Sequence, residues 1–158
     1  LWLARRGKIV GGYECSIHSK PWMVSINIGY HFCGGTLISD RWVVSAAHCC
    51  PEYTTVILGD HNLYDIEGSE QIMYVEAIYW NQDYDYQTLD HDIMLVKLAS
   101  AAILSPSVQP AKLPTDCPTA DEACVVSGWG NLLSNGGGLP SLTSPSCPTF
   151  CTVWMCRS

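Results

Sequence analysis

The residue types able to do chemistry fall at two places in this chain of 158 residues. In the first, the apolar, strand-like run Val44-Ser45-Ala46-Ala47 ends on His48, with Cys49 directly behind it. In the second, Asp92 opens the apolar run Ile93-Met94-Leu95-Val96-Lys97-Leu98. An imidazole exchanges protons near neutral pH, and a carboxylate within hydrogen-bond reach orients it for that task. Taken alone, a histidine beside a cysteine reads as a packed core histidine, so the pair gains weight only from its context. His18, His31, His61 and His91 have no motif around them. His91 adjoins Asp92, but neighbours on a strand point to opposite faces, so it is assigned no role.

The elements that must position these groups are short strands. Val24, Ile26 and Ile28 alternate with Ser25 and Asn27, the pattern of a half-buried strand. Similar runs follow at 36–38, 42–47, 54–58, 71–78, 92–98 and 123–129, with turn residues between them. No segment before residue 143 sustains a helical period, so the pattern predicts an all-β barrel or sandwich. Hydrophobic residues make up 47% of the chain and charged residues 15%, enough apolar material for a core.

A net charge of −7 disfavours nucleic acid and anionic lipid as partners, because both need a basic face. Cations are the better match. No apolar run approaches the roughly 18 residues of a membrane span. The nine cysteines point to an oxidising, extracellular compartment and therefore to a secreted protein. Zinc is the competing reading, yet no C-x-x-C pair exists; the nearest clusters are Cys49-Cys50 and Cys147, Cys151, Cys156. An odd count leaves at least one thiol free or paired between chains, so a monomer with cross-linking through free cysteines is expected. Leu1-Trp2-Leu3-Ala4 resembles the tail of a signal peptide without an initiator Met.

Ile9-Val10-Gly11-Gly12, Ser45-Ala46-Ala47-His48-Cys49, Asp92-Ile93-Met94-Leu95 and Gly128-Trp129-Gly130 occur in that order. In motif and separation the chain resembles the trypsin-like serine proteases, vertebrate trypsins above all. The resemblance implies a double antiparallel β-barrel. Residues 1–8 would be a remnant of signal and activation segment and 9–115 the N-terminal barrel. Residues 116–142 would begin a C-terminal barrel, and 143–158 form a tail that departs from the family pattern, so the second barrel is only begun. Barrel proteins commonly run to roughly 200–250 residues, and a truncated or misassembled product is expected.

The implied activity is serine endopeptidase, acting on protein and peptide substrates. In that family a histidine takes the proton of a serine hydroxyl while an aspartate holds the imidazole; His48 and Asp92 match those two positions. The Gly-Asp-Ser-Gly-Gly that carries the serine does not occur in the sequence. Ser134, before Asn135-Gly136-Gly137-Gly138, stands where the family has a surface loop and is not assigned as nucleophile. The oxyanion hole and specificity pocket would be missing too, so the chain as written is expected to be inactive. A non-catalytic, protease-like binding module and a non-functional product are the alternatives. Lys8-Ile9 resembles the activation cleavage site of a zymogen. Residues 60–70 resemble the family's calcium loop, with carboxylates from Asp60, Glu67 and Glu70 and backbone oxygens from Asn62 and Asp65; a solvated acidic turn is the plainer reading. Cys33 and Cys49 resemble the bridge that closes the loop holding the histidine. Cys15, Cys117 and Cys124 resemble half-cystines whose partners lie beyond this chain, although Cys147 falls two residues past the place of a partner for Cys15 and leaves that pairing open.

Overall fold

The computed structural model describes residues 13–50, 53–117, 122–130 and 150–156. Nine strands follow in order: β1 (Tyr13–Glu14), β2 (Met23–Asn27), β3 (His31–Ser39), β4 (Trp42–Ser45), β5 (Thr55–Leu58), β6 (Gln71–Trp80), β7 (Met94–Leu98), β8 (Glu122–Gly128) and β9 (Phe150–Cys156). One 3-10 helix, Ala47–Cys49, interrupts them. The all-β expectation holds. Strands β2-β3-β4-β7-β6-β5 close into a six-stranded antiparallel barrel, and β1-β9-β8 form a separate three-stranded sheet. Two strands of that sheet, β8 and β9, come from the C-terminal part of the chain, and β1 comes from its N-terminal part. β9 lies inside the segment 143–158 that the sequence pattern sets apart. No helix among the described residues is long and apolar enough to cross a membrane.

The barrel closes because its strands alternate. In β7, Met94, Val96 and Leu98 are buried at 1%, 1% and 0% exposure, while Leu95 and Lys97 between them face outward. They meet Val24, Ile26, Leu37, Val43, Val56, Leu58 and Met73 in one core. Each such side chain withdrawn from water stabilises by about 1.5–3 kcal/mol. Gly35 permits a close approach of β3 to β4, since a Cβ there would lie 2.8 Å from Val43 Cγ1 and 3.1 Å from the Val44 carbonyl oxygen.

β2 departs from the half-buried pattern. Ser25, predicted to face water, is fully buried, and its Oγ lies 2.7 Å from His31 Nδ1. The His31 ring packs edge-on against Trp129 at 5.2 Å, and Ser127 Oγ donates to Met23 Sδ at 3.2 Å. The outer face of β2 is therefore covered by the end of β8. Burial lowers the pKa of His31 and keeps it neutral there.

Candidate active site

His48 sits on the single turn of 3-10 helix that follows β4. The run 42–47 was expected to be strand throughout, but β4 ends at Ser45 and the backbone turns, with Cys49 N donating to Ala46 O and Cys50 N to Ala47 O. Cys49 is buried and bonded to Cys33 on β3, with Cα atoms 6.1 Å apart. The turn carrying His48 is thus anchored upstream by strand pairing and downstream by the bridge.

Asp92 comes from the segment leading into β7, the strand paired with β4. The run 92–98 was expected to be strand, but β7 begins only at Met94. Leu89 and His91 adopt positive φ of 58° and 55°, a region that costs side-chain-bearing residues energy, and Ile93 N donates back to His91 O at 2.8 Å. Asp92 therefore leaves the strand and reaches the helical turn. One carboxylate oxygen accepts the His48 backbone N–H at 2.9 Å, and the other lies 2.6 Å from His48 Nδ1. Burial pushes the Asp92 pKa up, but hydrogen bonds from the His48 ring, the His48 N–H and the Ala47 N–H outweigh it and hold the carboxyl below its ordinary range. An ionised carboxylate only accepts, so Nδ1 carries the proton and Nε2 is left with the basic lone pair. The imidazole remains half exposed, at 52% of its side-chain surface. This arrangement accepts a proton from a group placed at Nε2.

Among the described residues no serine hydroxyl is hydrogen-bonded to that ring. Ser105 and Ser107 bond to each other, and Ser127 is engaged with Met23. Ser134 and the Lys8-Ile9 cleavage site lie outside the described residues.

The acidic loop begins at Gly59, whose φ of +73° and contact with Ser69 leave no room for a side chain. Ligand oxygens of Asp60, Glu67 and Glu70 converge within 4.8 Å of one another. Glu67 Oε2 accepts the N–H of His61 at 2.9 Å and of Asn62 at 3.3 Å, and Glu70 accepts those of Glu67 and Gly68. Burial pushes Glu70 up, yet these backbone hydrogen bonds hold its pKa below the usual value. Asp60 differs. Its Oδ1 is buried with no hydrogen-bond partner, and burial, then Glu70, then Glu67 push its pKa up to about 6, against a smaller opposing effect of His61. Asn62 Nδ2 donates to the Asp65 carboxylate at 2.6 Å, and the Asn62 carbonyl accepts Asp65 N, so these two residues shape the turn.

Cys50 and Cys117 are free and exposed. Cys15 and Cys124 are disulfide-bonded within the chain, which corrects the expectation for Cys124 and agrees with the in-chain pairing left open for Cys15; Cys147 lies outside the described residues. His61, which no sequence signal picked out, is buried between the acidic loop and the second sheet.

The sequence model of the family described as Trypsin matches residues 9–149. Serine protease 1 of Rattus norvegicus is 52% identical over 135 residues, which are 85% of this chain and 55% of that relative. Trypsin-2 of Salmo salar is 51% identical over 81% of the chain and 55% of its own length. Anionic trypsin of Bos taurus is 48% identical over 85% and 55%. The chain spans about half the length of the curated relatives it matches. Because the family match takes in the whole barrel that orients His48 and the strand beyond it, the chain belongs to the trypsin family of serine proteases.

Proposed function

We propose that this chain carries the base-and-carboxylate half of a secreted, trypsin-type endopeptidase acting on proteins and peptides, and that the 158 residues as they stand do not hydrolyse peptide bonds. The observation that carries the reading is the double hold of Asp92 on His48, through ring and backbone. With Nδ1 donating to Asp92, His48 Nε2 would take the hydroxyl proton of the attacking serine as its oxygen bonds to the scissile carbonyl carbon. The same nitrogen would then return that proton to the leaving amine, as established for this family. Asp92 stays ionised throughout and stabilises the imidazolium. No serine in the sequence stands in the family motif, so the base has no nucleophile to deprotonate. Lys8-Ile9 is read as the cleavage site of a zymogen.

The acidic loop fits calcium, a hard cation that takes oxygen ligands. Three carboxylates converge there, and the unpartnered Asp60 oxygen leaves a buried negative group that a cation would neutralise. Asp60, Glu67 and Glu70 would hold the ion, with Asn62 and Asp65 lending backbone oxygens. Bound calcium would supply charge neutralisation and loop order only; the proton transfer rests on His48 and Asp92.

The test is turnover of fluorogenic peptides with Lys, Arg, Phe or Leu before the scissile bond, after cleavage at Lys8-Ile9, alongside labelling with a serine-directed phosphonate. Neither turnover nor labelling is expected. Activity that survives purification and disappears in His48→Ala would overturn the inactive reading.

A further inference from the structure

We propose that His61 is a positioning residue that couples the acidic loop to the three-stranded sheet, so that a divalent cation held by Asp60, Glu67 and Glu70 also tightens the contact between barrel and sheet. The coupling rests on the cation reading of that loop. His61 is 7% exposed and is held through its backbone and its ring. Its backbone N–H donates to Glu67 Oε2 at 2.9 Å. Its carbonyl oxygen accepts the indole N–H of Trp129 at 3.0 Å. Its ring Nε2 lies 3.3 Å from Glu14 Oε1 on β1, and His18 packs edge-on against the ring at 6.5 Å. Trp129, itself 8% exposed, packs edge-on against His31, which bonds to Ser25 of β2.

A cation that fixes the Glu67 carboxylate fixes the N–H it accepts, and through that one residue the acceptor of Trp129 and the partner of Glu14. Coupling of this kind is reciprocal: whatever holds His61 from the sheet side strengthens cation binding by the same factor. Neither Trp129 nor Glu14 belongs to the carboxylate cluster, so an effect of Trp129 on cation affinity, or an effect of Glu14 that survives loss of its charge, travels through His61. Loss of one such hydrogen bond corresponds to roughly a fivefold weakening.

The experiment uses the whole chain labelled with 5-fluorotryptophan, with the Trp129 fluorine resonance assigned by its loss in Trp129→Phe. Calcium chloride is titrated while calorimetry gives the affinity. The expected result is a saturable shift of the Trp129 resonance that is abolished in Asp60→Ala/Glu70→Ala, and calcium affinity weakened roughly fivefold in Glu14→Ala. Glu14→Gln keeps an acceptor but loses the charge, and its affinity should stay near that of the unaltered chain. Affinity as weak as that of Glu14→Ala would show a charge effect and overturn the coupling. Calcium binding with a silent Trp129 resonance and unchanged affinity in Glu14→Ala also overturns the coupling and leaves the cation reading standing. Absence of any calcium heat overturns the cation reading and the coupling with it.

Discussion

Asp60→Asn should stabilise the calcium-free protein at neutral pH and do nothing at acid pH. The Asp60 pKa rises from 3.8 to about 6 on folding, because burial and then Glu70 and Glu67 disfavour its charge. A raised carboxyl pKa means that the folded state holds its proton more tightly than the unfolded chain. The contribution to stability is therefore fully present below pH 3.8 and is lost as pH rises through about 6. At about 1.4 kcal/mol per tenfold change in proton affinity, the full difference has an upper limit of about 3 kcal/mol. The side chain is only half buried, and residual solvent screening reduces this to about 1–2 kcal/mol. Asparagine carries no charge at either end of the range and also relieves the two neighbouring glutamates. The assay is urea unfolding in excess chelator at several values between about pH 4 and about pH 7.5. The unaltered chain should lose about 1–2 kcal/mol relative to Asp60→Asn across that window. With calcium in place of chelator the order should reverse at neutral pH. Parallel stability curves in chelator would refute the claim that Asp60 is held in an unfavourable charged state.

Replacing both Cys33 and Cys49 by alanine should cost about 3 kcal/mol, the loop-closure value for a bridge spanning 16 residues, read as a lower melting temperature. Gly59→Ala should destabilise by about 3 kcal/mol, because a Cβ there meets the Ser69 carbonyl in a left-handed conformation; denaturant unfolding measures it. In Asp92→Ala, nitrogen NMR of His48 should lose the signature of a ring protonated at Nδ1, since the acceptor 2.6 Å away is gone; an unchanged tautomer would contradict the assigned donor.

Strand existence was legible because apolar alternation is a local property of the chain. The runs 54–58 and 71–78 became β5 and β6 with shifts of one or two residues. Strand ends were less legible. Met94 instead of Asp92 begins β7 because the left-handed His91 breaks the pairing direction first, and nothing in the composition around His91 announces a positive φ. Ser25 was misjudged for a different reason: a serine between apolar residues looks solvent-facing unless a second sheet lies across it.

The sequence by itself determined the all-β class, the order of His48 before Asp92, the absence of the family's serine motif and the position of the acidic loop, since all of these are written in residue types and spacings. Only the tertiary structure decided that Asp92 grips both the ring and the backbone of His48, that Asp60 alone among three carboxylates lacks a partner, and that His61 joins loop to sheet. These depend on residues separated by 44 and 68 positions, brought together by the pairing of β4 with β7 in the barrel and by the packing of the end of β8 against it. Closure is a cooperative result of burying one apolar face from every strand at once, so no single segment encodes where its polar side chains will meet.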